Sequence, residues 1–412
     1  MRELRLTSFC DEAALPEQEQ DAYRFLRDLA RHQWIEWHDW HVRPPKWTPN
    51  QEGDCYTFEC YDHLGRVLAT ALSDWVRGKM SHSELLFAAH ERFGHDLLVT
   101  TDASLLELSV STENANILPP SLALPLTHLY LRTREEFIYD AGTMALRKFN
   151  RGLFYLVLLR ALLPELWPFM AASSRQTAVS GTLCAAIRIR LIRALQAQDE
   201  LGRLFFAQRH SSDDRDRMAY HFEYLALLLL AAIDAQLRVV RHAYRLSMSP
   251  RNVNFKNTQF LKQLRAVGAT GVCELLEGGI HYHFLLALAT IRNKIHADAL
   301  GDMAYSSPAT GEAGLLTLGG EDGELVLARI RELGNPATMG IFPFDQHILV
   351  EPFRCASFLV RKALNVVGAI ADATDFGEHR QALDVRSQLA ADLFSERNLA
   401  NMKLVFGSLA VL

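Results

Sequence analysis

The segment Ala289-Thr-Ile-Arg292-Asn293-Lys-Ile-His296-Ala places a guanidinium, an amide and an imidazole close together in the chain. On a helix, residues i and i+4 lie one turn apart on the same face, so Arg292 and His296 are juxtaposed with Asn293 beside them. That trio suits metal-free cleavage of a phosphodiester. An imidazole with a pKa near ~6.5 takes a proton from a ribose 2′-hydroxyl at neutral pH. An arginine fork binds the phosphate and the charge growing on it, and losing one such stabiliser costs on the order of 10²–10³ in rate. The plainer alternative is that both side chains are cations placed favourably near the last carbonyls of a helix.

A second set of residues is acidic. Asp11 follows an expected strand, Asp102 follows another that ends in Thr-Thr-Asp, and Glu84 opens an expected helix. Ligands of parallel sheets sit outside the carboxyl ends of the strands, so the three can converge. Carboxylates ~4 Å apart repel by roughly 4 kcal/mol at an effective dielectric of 20, and a cluster of them normally requires a cation. Mg²⁺ or Mn²⁺ would supply it and could activate water. The plainer alternative is that any α/β unit carries acids at strand ends and helix starts, where Glu84 favours the helix dipole.

The elements that must position these residues follow from hydrophobic periodicity. Leu4–Cys10 reads as a buried strand and Glu17–His32 as an amphipathic helix. Trp34–Trp40 is a second strand or extended turn. Helices are expected at Gly65–Lys79 and Ser81–Phe93, and strands at Asp96–Thr101 and Ala115–Leu118. Strands alternating with helices predict a small α/β unit with a parallel sheet. From Leu131 to Gln208 the pattern is nearly all helical, broken at Pro164 and around Ser173–Ser180, with a basic face at Arg188, Arg190, Arg193 and Arg203. Ser211-Ser-Asp-Asp opens a long helix to about Leu246. Helices are also expected at Thr258–Val267, Ile280–His296 and Glu351–Ala373. Leu315–Leu318 and Glu324–Ile330 read as a β-hairpin.

Two resemblances follow from these residues. Glu84-Leu-Leu-Phe-Ala-Ala and Leu-Leu-Val-Thr-Thr-Asp102 resemble the PIN-like nuclease family over residues 1–125, which implies metal-ligand roles for Asp11, Glu84 and Asp102, with Glu36 and Asp39 as candidates for that family's additional acid after the first helix. Arg292-Asn293-x-x-His296 late in a helix resembles the HEPN superfamily of helical bundles, often RNases, over 212–373. In that family four to six residues usually separate the Arg and the His; here there are three. The resemblance implies catalytic roles for Arg292, Asn293 and His296, without a cofactor, and a homodimer that brings two motifs into one cleft.

The expected fold class is multidomain, α/β followed by all-α. It comprises a small parallel-sheet PIN-like domain (1–125), a helical connector (126–210), a HEPN-like bundle with a β-hairpin insertion (211–373) and a helical tail (374–412). The expected function is RNA phosphodiester cleavage, and the two resemblances together imply a toxin or antiphage-defence effector with an antitoxin or defence-system partner. The alternative is a non-catalytic RNA- or protein-binding scaffold of such a system.

Composition narrows the field. Of 412 residues, 49% are hydrophobic and 22% charged, which is material for more than one core. No apolar stretch reaches the ~20 residues that a bilayer requires, so no membrane association is expected. Residues 1–20 carry too many acids for a signal peptide. The six cysteines form no C-x-x-C pair, so a disulfide framework or structural zinc is not expected and a reducing cytoplasm is. P-loop, dinucleotide-binding, G-x-S-x-G and H-E-x-x-H signatures are absent. The net charge of −5 is unevenly spread: residues 1–140 sum to −10, 141–300 to +10 and 301–412 to −5. A basic middle of this size can attract a polyanion, or can be a set of solvated faces.

Overall fold

The computed structural model describes residues 4–10, 12–43, 57–62, 66–72, 95–103, 105–107, 117–140, 146–206, 211–297, 300–307, 311–345, 347–377 and 394–406. The chain divides into two compact units, residues 1–149 and residues 150–403, with most of 404–412 assigned to the first. The expected limit at 125/126 lies inside a helix. Mixed α/β architecture holds for the chain as a whole.

The first unit opens with β1 (Arg5–Phe9), then α1 (Glu17–Arg31) and β2 (Glu36–Arg43). Tyr23, Phe25, Leu26 and Leu29 bury one face of α1, as their helical spacing requires. β3 (Thr57–Asp62), β4 (Val67–Leu72), β5 (Leu97–Thr100) and β6 (Ile117–Leu118) complete a sheet of order β4-β3-β2-β1-β5-β6. β2, β1, β5 and β6 run parallel, whereas β3 and β4 are antiparallel additions, so the sheet is mixed rather than wholly parallel.

The expected helix at Gly65–Lys79 is corrected at its start, because Val67–Leu72 is strand β4. Asp62 leads into it: its backbone N–H donates to Arg66 O at 2.9 Å, and its carboxylate accepts from Arg66 N at 2.8 Å and Arg66 Nε at 2.6 Å. A paired edge on β3 thus overrides a short helical pattern. The expected helix Ser81–Phe93 lies outside the described residues. α2 (Pro120–Thr133) starts on Pro119-Pro120, where a missing N–H and a preset φ suit the first turn. Its buried His128 packs against the ring of Phe25 on α1, centroids 5.1 Å apart. Two strands, β7 (Phe137–Asp140) and β8 (Leu146–Phe149), then form an antiparallel pair, correcting the expectation of nearly continuous helix from Leu131. Phe137, Ile138 and Tyr139 are all buried, and Tyr139 stacks on Phe149 at 3.6 Å.

The second unit begins with α3 (Arg151–Leu162) and α4 (Leu166–Gln176), which turn through 102° at the break containing Pro164. α5 (Ala178–Phe205) and α6 (Ser212–Ala243) are its longest helices. Ser211 and Asp214 start α6 with a reciprocal capping box, the expected helix start. Arg190 of α5 donates to Ala231 O at 3.0 Å, and Glu200 and Arg203 act on His221, so the two helices run antiparallel. α7 (Thr258–Ala266), α8 (Thr270–Glu277) and α9 (Gly279–Ala297) follow. Among the described residues no single helix is long and apolar enough to cross a membrane.

After α9 the chain forms β9 (Gly301–Ser307), β10 (Gly311–Gly319), α10 (Gly320–Arg331), β11 (Ile341–Phe344) and β12 (His347–Val350). The sheet order is β11-β12-β10-β9, all antiparallel, so this half is not all-α with a single hairpin. The expected hairpin partner Glu324–Ile330 is helical. Val326 and Ile330, four apart, are buried together, and Glu321 and Asp322 favour the helix start. Gly320 enters the helix at φ +65, and a Cβ on Gly319 would strike the His347 ring. β10 pairs with β9 and β12 instead. α11 (Pro352–Ala373), capped by Glu351, closes the core, with Gln198 donating to Ser357 Oγ at 3.0 Å and Gln236 to Val367 O at 2.8 Å. α12 (Glu396–Phe406) is the last described helix.

Candidate functional site

Arg292, Asn293 and His296 occupy the last turns of α9, as the sequence spacing requires. Arg292 is half-buried, while Asn293 and His296 are exposed. Arg292 Nη1 donates to Asn293 Oδ1 at 3.1 Å, so the amide orients the guanidinium rather than standing apart from it.

Arg292 and Asn293 line a cavity of about 290 Å³ together with Asp234 and Arg238 of α6 and Arg251, Asn254 and Lys256 of the segment before α7. The floor is apolar, from Leu230, Val253, Phe255 and Ala289. Burial pushes the Asp234 carboxyl above its ordinary range, while Arg292, Arg238 and Arg190 pull it back. The cavity therefore presents several guanidinium and ammonium groups against one carboxylate. Such an arrangement can hold an anion, and its planar forks fit phosphate oxygens. His296 does not line the cavity; it lies one turn further along α9.

The segment Arg251-Asn-Val-Asn-Phe-Lys256 is held in place by alternation. Val253 and Phe255 are buried, and the side chains between and beside them face outward. Arg241 Nε donates to Met248 O at 2.6 Å, tying the preceding loop to the end of α6. Asp234 and Arg238 of α6, rather than Arg241, line the cavity with Arg292. Of the basic run on α5, Arg190 is used within the unit at Ala231 O.

Asp234, Arg238, Arg251 and Lys256 were not singled out by the sequence. Two signals could have found them: the +10 charge of residues 141–300, and the alternation of apolar Val253 and Phe255 with polar Asn254 and Lys256.

In the first unit, Asp102 is half-buried and follows the carboxyl end of β5. Its Oδ1 accepts from Leu105 N at 3.1 Å, capping the turn that follows. Asp11 and Glu84 lie outside the described residues, so their convergence with Asp102 is not described. Among the described residues no group of three or more His, Cys, Asp and Glu side chains is arranged to hold a metal ion.

Asp39, at the same end of the sheet, binds donors. Its Oδ1 accepts from Ser8 Oγ at 2.5 Å, Trp37 Nε1 at 2.8 Å and Tyr23 OH at 3.3 Å, and Arg27 stands 3.9 Å from Oδ2. Burial, with a smaller contribution from Asp39, pushes Tyr23 upward; Cys10 rises to about 12 for the same reasons. Glu36 is taken up by Arg5 at 2.7 Å and His38 at 3.2 Å. Trp37 and Trp40 are buried packing residues. His38 Nδ1 lies 2.7 Å from His95 Nε2.

No protein-family model, no curated protein and no solved structure matches this chain.

Proposed function

We propose that the chain is a ribonuclease whose chemistry resides in the helical unit, with a HEPN-like bundle there and a PIN-like fold in the first unit. The observation that carries this reading is the convergence of Arg292 with Arg238, Arg251 and Lys256 on one cavity, one helical turn from His296. In the proposed mechanism a backbone phosphate sits against Arg292. His296 takes the proton from the neighbouring ribose 2′-hydroxyl, whose oxygen attacks phosphorus, and the 5′-oxygen leaves with a proton returned by the imidazolium. The bond broken is P–O5′ and the one formed is P–O2′, so no metal or external reductant is needed. A homodimer and a toxin or defence role belong to the same proposal and rest on the resemblance alone.

A second, metal-dependent activity of the first unit through Asp11, Glu84 and Asp102 is favoured by one observation. β1 and β5 are parallel neighbours with Phe9 opposite Thr100, so both strands end level, two residues before Asp11 and Asp102 in sequence. Mg²⁺ or Mn²⁺ held there would neutralise phosphate charge.

The test is cleavage of mixed total RNA, with Mg²⁺ and Mn²⁺ or with EDTA, by the wild type, His296→Ala and Asp102→Ala. Cleavage that survives EDTA and is lost in His296→Ala is the expected result. Cleavage lost with EDTA and in Asp102→Ala transfers the activity to the first unit. No cleavage under any condition leaves the non-catalytic scaffold.

A further inference from the structure

From Tyr224 to Arg238, α6 carries a single open stripe, and Tyr220 continues its line toward the start of the helix. Tyr220, Tyr224, Leu227, Ala231, Asp234 and Arg238 recur at spacings of three and four and are exposed or half-buried, whereas Phe222, Leu225, Leu229 and Ile233 between them are buried. Arg190 of α5 and Arg292 of α9 flank this stripe at Asp234, one from each neighbouring helix. The basic cavity occupies one end of it. At the other end Tyr220 is 62% exposed and its ring lies nearly parallel to that of Tyr224, at 9° with centroids 6.0 Å apart. The stripe from Tyr220 to Arg238 is about 27 Å long at 1.5 Å per residue.

α9 runs antiparallel beside it: Arg292 faces Asp234, and the backbone N–H of Leu300, just beyond α9, donates to Glu223 Oε1 at 3.0 Å. His296 therefore falls, along α6, between the level of the cavity and the level of the tyrosines.

We propose that the Tyr220–Tyr224 pair is a nucleobase-stacking platform, and that the substrate is single-stranded RNA laid along α6. Its phosphates sit in the Arg238, Arg251, Lys256 and Arg292 cavity, and a base beyond His296 lies on the tyrosines. This rests on the reading of the helical unit as one that acts on RNA. The physical case is continuity. Phosphate-binding cations alone do not select strand type, but exposed aromatic rings further along the same helix do, because only unpaired bases offer a free π-face. A second copy docked on the tyrosines would leave the basic cavity at the other end of the stripe unmatched.

The test is fluorescence anisotropy of the full-length protein with a labelled, 2′-O-methylated single-stranded oligoribonucleotide, which binds without being cleaved, and with the same backbone lacking bases. Tyr220→Ala with Tyr224→Ala is expected to weaken the oligonucleotide roughly tenfold to a hundredfold. The double Phe variant restores it, and the base-free strand is unaffected by either. Four results overturn the platform. One is an oligonucleotide weakened by Arg251→Ala but indifferent to the double Ala variant, which leaves the RNA reading standing. Another is duplex RNA competing as well as single strands. A third is loss of self-association in the double Ala variant with oligonucleotide affinity unchanged, which makes the face an interface between copies. The last is no oligonucleotide binding at all, which removes the RNA reading as well.

Discussion

Arg292 of α9 and Asp234 of α6 line one cavity, and the guanidinium draws down a carboxyl that burial pushes up. Asp234 is thus the single acid among Arg190, Arg238 and Arg292, and it sets how much positive potential the site shows to an incoming anion. The relationship makes the cavity a tuned site rather than a bare cationic patch. Without Asp234 the clustered guanidiniums would repel one another across a low-dielectric floor.

Asp234→Asn keeps the shape and removes the charge. The expected outcome is oligonucleotide binding tighter by roughly threefold to tenfold, at about 1 kcal/mol for one nearby charge. The melting temperature falls at the same time, because the guanidiniums lose their counter-charge. Anisotropy and thermal unfolding on the same preparation check both; weaker binding would show that Asp234 orients Arg292 instead of screening it.

Salt dependence counts the phosphates held. For single strands the slope of log K against log salt is roughly −0.7 per phosphate neutralised, so Arg238, Arg251, Lys256 and Arg292 together predict a slope of about −3. Arg251→Ala and Lys256→Ala should each make it shallower by roughly 0.7. A titration from low to moderate salt, with wild type and both variants, reads this directly, and unchanged slopes would place the phosphates elsewhere.

His128 makes the first unit sensitive to acid. It is fully buried between α1 and α2, and burial, aided by the Arg132 charge, holds its pKa well below the usual histidine range. The unfolded chain takes up the proton near pH ~6.5 and the folded chain resists it. The His128 contribution is therefore fully present above about pH 6.5 and is lost progressively as pH falls below that value. Tryptophan fluorescence reports this unit selectively, since five of the six tryptophans precede residue 150. Urea midpoints should fall between pH 7.5 and pH 5.5 in the wild type, and fall less in His128→Leu.

Asp39 is expected to matter for stability whatever the first unit does. Asp39→Ala leaves Ser8, Trp37 and Tyr23 without their common acceptor, at a cost of about 3 kcal/mol. The same fluorescence signal in urea measures it. A cost below about 1 kcal/mol would mean that water replaces the carboxylate.

Much of this was legible in the sequence because it is local. Ser211 with Asp214, and the four-residue step from Arg292 to His296, specify a helix start and a shared helical face through neighbours alone. β1, α1 and β5 carry enough apolar periodicity to be read directly. Val67–Leu72 and Glu324–Ile330 were misread because their short patterns fit either period. What decided them was partnership: an open edge on β3 for the first, and for the second a β10 already paired on both sides by β9 and β12.

The candidate site divides along the same line. Sequence spacing determined that Arg292, Asn293 and His296 share one end of a helix, since 3.6 residues per turn leaves no other outcome. Only the tertiary structure decided what faces them. Asp234, Arg238, Arg251 and Lys256 come from a helix and a loop 36 or more positions away, brought in by the antiparallel packing of α6 against α9 and by the burial of Val253 and Phe255. Charge convergence of that kind has no local period. It arises when apolar faces choose their partners and the polar residues on the opposite faces are carried along.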